Sequence, residues 1–265
     1  MNIIIPLGRL TRDLRAAGFV KPLQATCLLG RPVLFWILDN LKIGSDDVVW
    51  MVISAKDEAL YQLYSSASAE YREMTSNNQL RLIPLHFATS GVAETLHIAN
   101  KYLGTEFRSR RTVCLNGDTI FKFDVLEFAR CSDVCDLCCI LSPTDPTFTS
   151  AREEGLHLSY GILSPEPGRD ENCQDSYPVR ELTSISVHSD PKGCSLVCVG
   201  AYIFSSAELL DQLCSSVIRT ASHDSKHGFP EVVDCALKLH VSVTGINVDA
   251  GESFYPLKTR EMLDE

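Results

Sequence analysis

The chain has 265 residues, is 45% hydrophobic and 22% charged, and carries a net charge of −10. That length buries a full core, as one large domain or two small ones. An acidic chain with no basic block or aromatic–basic strip excludes broad, sequence-independent nucleic-acid binding, which needs a Lys/Arg surface, but leaves room for a nucleotide in a local basic pocket.

In chain order, "NIII" reads as a buried strand that stops at Pro6-Leu7-Gly8. "RPVLFWILDNLKI" has helical apolar spacing with Pro32 near its start, where a missing N–H costs little. "DDVVWMVIS" is a second strand, "KDEALYQLYSSASAEYREM" one helix, "QLRLIPLH" a third strand and "GVAETLHIANKYL" a helix. "RTVCLNGDTIF" is a buried strand ending in a polar turn, "DVLEFARCSD" a helix and "CDLCCILSP" another strand. Strands alternating with helices predict an α/β sheet, mostly parallel. Further on, "LHLSYGILSPE", "YPVRELTSISVH" and "SLVCVGAYIFS" alternate like antiparallel or mixed strands around "SPEPGRDENCQDSYP", an exposed loop. "SAELLDQLCSSVI" and "PEVVDCALKL" are helices, "HVSVTGINVDAG" a late strand and "HDSKHG" a solvated loop. With no internal repeat and no low-complexity linker, one domain spanning 1–265 is expected, with a ligand-facing subregion toward its C-terminus.

No stretch is long and apolar enough to span a bilayer. "MNIIIPLGRL" lacks the positive n-region and long apolar run of a signal peptide. The expected location is the cytoplasm, with no membrane partner, and the eleven cysteines read mostly as free thiols. Cys131, Cys135, Cys138 and Cys139 in "CSDVCDLCC" lack the paired spacing of a zinc site, and adjacent Cys138 and Cys139 on a strand point to opposite faces. Asp118, in "VCLNGDTIF", follows an apolar strand directly. Ligands of open α/β sheets bind at the carboxyl ends of strands, and a carboxylate there can hold Mg²⁺ against phosphate oxygens. Asn-Gly-Asp is equally good turn chemistry. Asp249, in "GINVDAGESF", stands in the same relation to a later strand, with the same alternative.

The order of these pieces resembles the sugar-phosphate nucleotidyltransferases, the nucleoside-diphosphate-sugar pyrophosphorylases and capsule-type transferases, over nearly the whole chain. "MNIIIPLG…KPLQATCLLGRPVLFWILDNL" is similar to the family's opening strand, phosphate loop and first helix, with Gly30-Arg31-Pro32 where the family has Gly-Lys-Pro. The resemblance implies a Rossmann-like three-layer fold, with a mixed, mostly parallel sheet of the nucleotide-diphospho-sugar transferase type. It also implies a nucleotide-side half at 1–145 and a sugar- or acceptor-side half at 146–265. It sets Leu7, Gly8, Arg9, Ser90, Gly91, Asn116 and Gly117 at the nucleotide, Glu181 and Gly200 at the sugar, and Asp118 and Asp249 on Mg²⁺. The reaction it implies is attack of a sugar phosphate on the α-phosphate of a nucleoside triphosphate, releasing pyrophosphate.

The departures fall on the phosphate loop. Aligned without a gap between Gly8 and Gly30, further loop glycines fall on Arg9 and Thr11, the loop arginine on Asp13, and two lysines on Leu23 and Leu182. An acid near a triphosphate repels where attraction is required. With a gap, Arg12 and Lys21 take the cationic, catalytic places. Three readings stand: a non-catalytic relative that binds a nucleotide, a sugar nucleotide or a phosphorylated metabolite, or regulates an active homologous subunit or homo-oligomer; an active nucleotidyltransferase; and an unrelated α/β protein whose motifs are turns.

Overall fold

The structure, a computed structural model, describes residues 1–8, 15, 18–131, 136–143, 159–164, 179–187, 196–220, 227–248 and 254–256. It is organised on β1 (Asn2–Pro6), whose Ile3, Ile4 and Ile5 are buried on both faces because helices cover both. After a short antiparallel pair, β2 (Cys27–Leu28) and β3 (Arg31–Pro32), β4 (Val48–Ser54) and β6 (Thr112–Leu115) lie parallel to β1, with Asn2 opposite Val48 on one side and Thr112 on the other. β5 (Leu80–Leu85) pairs parallel to β4. Beyond β6 come β8 (Leu137–Ser142), β9 (Ser159–Leu163), β10 (Val179–Val187), β11 (Leu196–Phe204) and β12 (Val243–Asn247). The nine-stranded order is β5-β4-β1-β6-β11-β8-β12-β10-β9. Only β11 and β10 run against the rest, so the sheet is mixed but mostly parallel in direction, as expected.

Alternation along each strand splits the core into two layers. Ile3, Ile5, Val49 and Met51 pack under α1 (Val33–Asp39), α3 (Leu63–Glu70) and α7 (Val125–Cys131). Ile4, Val48, Trp50 and Val52 pack under α5 (Val92–Tyr102), α6 (Thr105–Arg108), α8 (Ala207–Thr220) and α9 (Phe229–Lys238). Cys138 belongs to the first layer and Cys139 to the second, both wholly buried, so the adjacent thiols face opposite sides as expected. Among the described residues no group of three His, Cys, Asp or Glu side chains is placed to hold a metal, and no helix is long and apolar enough to cross a membrane. Cys135 and the loop 165–178 lie outside the described residues.

Two expectations need correction. The long helix after β4 is three: α2 (Ala55–Tyr61), α3 and α4 (Arg72–Ser76). It breaks at Gln62, whose φ is 52°, because the Glu58 carboxylate accepts the N–H groups of Tyr64 (2.8 Å) and Ser65 (3.0 Å) and so caps a new helix. It breaks again at Tyr71, whose hydroxyl is tied to Asp39 (2.6 Å) and to the Phe35 carbonyl (3.2 Å) of α1. The "VCLNGDTIF" strand also ends early, at Leu115. Thr119–Phe121 forms a separate strand, β7, which pairs antiparallel with β13 (Phe254–Pro256).

The far end of the sheet curls. β9 pairs with β10 along one edge and, through Gly161 opposite Leu196, with the start of β11 along the other, closing a ring β11-β8-β12-β10-β9. Leu141, Leu163 and Leu182 belong to the buried core here, and a Cβ on Gly245 would lie 2.7 Å from the Leu163 side chain and 2.9 Å from that of Leu141. We predict that Gly245→Val lowers unfolding free energy by about 1–3 kcal/mol through overpacking, read from urea denaturation. An unchanged midpoint would contradict a filled ring.

Candidate functional site

The connections leaving β1 lead outward through β4 to β5, and the chain then returns on the other side of β1 as β6. Segments leaving the carboxyl ends of β1 and β6 therefore diverge and open a crevice, the topological switch point at which open α/β sheets bind ligands. On one wall Leu7 extends β1, its N–H donating to the Val52 carbonyl (2.8 Å) and its side chain buried in the core, and Gly8 follows, exposed. On the other wall stand Asn116, Gly117 and Asp118 after β6. Gly8 and Asp118 thus sit at the carboxyl ends of neighbouring strands, as the sequence predicts.

Gln24 joins the two walls. A Cβ on Gly117 would lie 2.7 Å from its Nε2 and 3.1 Å from its Cγ, and a Cβ on Gly8 3.7 Å from its Nε2. The side chain is 5% exposed, although it follows the exposed Val20 by only four residues. Gln24 belongs to a single 3₁₀ turn, Leu23–Ala25, whose Leu23 is a core residue. Lys21, just before Pro22, stays half-exposed. Sequence reasoning singled out Lys21 and Leu23 and passed over the amide beside them.

The third wall is β11. Its pairing with β8 shifts between Cys198 and Tyr202, and in that irregularity Gly200 has φ +90°. A Cβ at Gly200 would meet the Asn116 side chain at 2.7–2.9 Å, so glycine is required both by conformation and by approach. The Asn116 N–H donates to the Gly200 carbonyl (2.7 Å), which brings these two expected site residues together. Asp118 is half-exposed and accepts a hydrogen bond from Thr119 Oγ1 (3.1 Å). Its charge reaches Tyr202: burial pushes that phenol far up, and Cys198, Cys139 and then Asp118 add to the shift. A carboxylate at the lip of a crevice suits Mg²⁺, which takes one or two carboxylates and completes its shell with water and phosphate oxygens. Arg9, Thr11, Arg12, Asp13 and Asp249 lie outside the described residues. β12, which precedes Asp249, ends at the same edge of the sheet as β8, the Val248 N–H donating to the Leu141 carbonyl (2.8 Å), and β13, which follows it, pairs with β7 beside Asp118.

The segment Ser90-Gly91 follows β5 and begins α5. Both the N–H and the hydroxyl of Ser90 donate to Glu94 Oε2, at 2.5 and 2.8 Å, so this turn is capped from within. A Cβ on Gly91 would lie 2.4 Å from the His227 carbonyl oxygen, and the Ala93 N–H donates to that oxygen at 3.0 Å. His227, expected in a solvated loop, is instead 7% exposed, because its backbone packs on this turn. Glu181 is exposed on β10, opposite Thr244, and around the ring β10 is separated from β11, which carries Gly200, by β9 on one side and by β12 and β8 on the other. Its neighbour Leu182 is 1% exposed, in the core. Arg31 of Gly30-Arg31-Pro32 is a fold anchor, ion-paired to Asp39 (2.9 Å) and Glu70 (3.0 Å) and stacked 5.2 Å over Phe35.

No protein-family model and no curated sequence matches the chain. Solved structures do. A nucleoside-diphosphate-sugar pyrophosphorylase from Vibrio cholerae superposes with TM-score 0.69 at 12% identity, over 99% of this chain and 97% of the other. The inositol-1-phosphate CTP transferase from T. maritima gives 0.68 at 11% identity, over 99% and 91%. A UDP-glucose pyrophosphorylase complexed with UDP-glucose gives 0.67 at 10% identity, over 99% and 95%. At these identities the likeness is one of architecture: the chain has the nucleotide-diphospho-sugar transferase fold along its whole length.

Proposed function

We propose that this chain binds a nucleotide, sugar nucleotide or sugar phosphate in the crevice between β1 and β6, and that its transfer chemistry is weakened or lost, making it a pseudoenzyme or a regulatory subunit. The observation that carries the reading is the meeting of Gly8, Gly117, Asp118 and Gly200 around the switch point. In this reading residues 1–265 form one domain, with 1–145 on the nucleotide side and 146–265 on the acceptor side. Proteins of this fold are named as pyrophosphorylases and a CTP transferase, and one holds UDP-glucose, which puts activated sugars first among ligands to test. Fold alone does not assign chemistry.

Support for weakened transfer comes from the cations. Phosphoryl transfer relies on positioning and on charge neutralisation at the phosphates. Leu23 and Leu182, where an ungapped comparison sets lysines, are packed in the core. Removing one well-placed donor costs about 10²–10³ in rate. The second reading, an active nucleotidyltransferase making an NDP-sugar, is favoured by the half-exposed Lys21 and the retained Asp118. There Arg12 and Lys21 would supply positive charge, and Asp118 with Asp249 would hold Mg²⁺. The ion, when bound, would neutralise phosphate charge.

Calorimetric titration with Mg²⁺ and each nucleoside triphosphate or sugar nucleotide tests binding. At least one is expected to bind, and none binding overturns the proposal. Pyrophosphate release with triphosphates and sugar 1-phosphates is expected to stay below about 1 s⁻¹, the low end of ordinary turnover. Faster release would establish the second reading, and Lys21→Ala should then abolish it. Asp118→Asn is expected to weaken Mg²⁺-dependent binding on the order of tenfold, since only the ionised carboxylate serves the ion, while metal-free binding does not weaken, since the lost charge no longer repels phosphate. Equal affinities with Mg²⁺ would remove Asp118 from the metal.

A further inference from the structure

We infer that Gln24 is a specificity-determining residue of the crevice, its side-chain amide reading a hydrogen-bond donor on the nucleobase or sugar of the bound ligand. This rests on the binding reading above. Among the described residues Gln24 Oε1 is fully enclosed and has no hydrogen-bond partner, while Nε2 lies against Gly117 and faces Gly8 across the crevice. Buried acceptors in folded proteins are nearly always paired, and leaving one unpaired is destabilising. An apolar side chain of the same size would fill the space between Leu23 and Gly117 without that penalty. The amide is therefore a feature the ligand-free fold does not require, and it stands where the two walls of the crevice meet.

The chemistry of the orphan atom narrows its partner. A carbonyl oxygen accepts only, so its partner is an N–H or O–H. Ionised phosphate oxygens have no proton to give. They can accept from the Nε2 end of the amide, but they cannot satisfy Oε1. Base N–H groups and sugar hydroxyls can. Gln24 thus offers a donor and an acceptor side by side, the pattern by which a carboxamide reads a matching pair on a base or a sugar. Ligand entry supplies the partner that the free chain lacks as the side chain swings toward the ligand about its flexible torsions.

The test compares wild type with Gln24→Leu, using thermal unfolding of the free proteins and calorimetry with UDP-glucose, GDP-mannose, UDP and GDP in the presence of Mg²⁺. The expected result is an unfolding midpoint equal to or above wild type, together with affinity for the bound sugar nucleotide weakened about tenfold or more, as for a site left with an unmet hydrogen bond. If the parent nucleoside diphosphate weakens equally, the donor is on the nucleoside, base or ribose; if it does not, the donor is on the transferred sugar. Unchanged affinity in the variant, with wild type binding, overturns the role of Gln24 and leaves the crevice as the site. Absence of binding by wild type overturns the binding reading and this inference with it. Should Gln24→Leu fail to fold, Gln24→Met, unbranched and adaptable, gives the same comparison.

Discussion

The carboxyl edge of this sheet is governed by one reversal. β4 and β5 are laid down on one side of β1, and β6 on the other, so the two central parallel strands send their chains in opposite directions. Backbone that would elsewhere cover the strand ends is drawn apart. What bridges the gap is a side chain, Gln24, delivered by a short turn that Leu23 anchors in the core. The crevice follows from strand order, and its floor is set by a single amide.

β11 gives the crevice its third side. It enters antiparallel between β6 and β8, and the irregularity at Gly200 lets its carbonyl receive the Asn116 N–H while the Asn116 side chain fills the space a Cβ would need. The same strand begins at β9, which closes the ring with β10 and β12. One strand therefore connects the turn after β6 to the ring. The closed ring has a tight interior, where Gly245 makes room for Leu141 and Leu163 and Leu182 is 1% exposed.

Much of this was legible in the sequence because the parallel strands are covered on both faces and so read as unbroken apolar runs. Where such a run stops at Gly8, or at Asn116-Gly117-Asp118, a strand end and its turn are marked together. The antiparallel pairing of β9 and β10 showed in their alternation, whereas β11 is buried along nearly its whole length and its direction is set by its neighbours. Features set by tertiary contacts were not legible. The breaks at Gln62 and Tyr71 arise from Glu58 reaching forward and from Asp39 across an interface, and nothing in the local spacing announces either. His227 sits in a polar run and is buried because its backbone meets Gly91. Gln24 is one polar residue between Leu23 and Ala25, and neither its burial nor its unpaired oxygen has a sequence signature.

The central claim is that ligands enter between β1 and β6. Hydrogen–deuterium exchange with and without Mg²⁺ and a saturating sugar nucleotide tests it on the intact chain. The account predicts slowed exchange in peptides covering Leu7–Gln24 and Asn116–Phe121, with α8 and α9 unchanged. Slowed exchange confined to α8 and α9, with the crevice peptides unaffected, would contradict it.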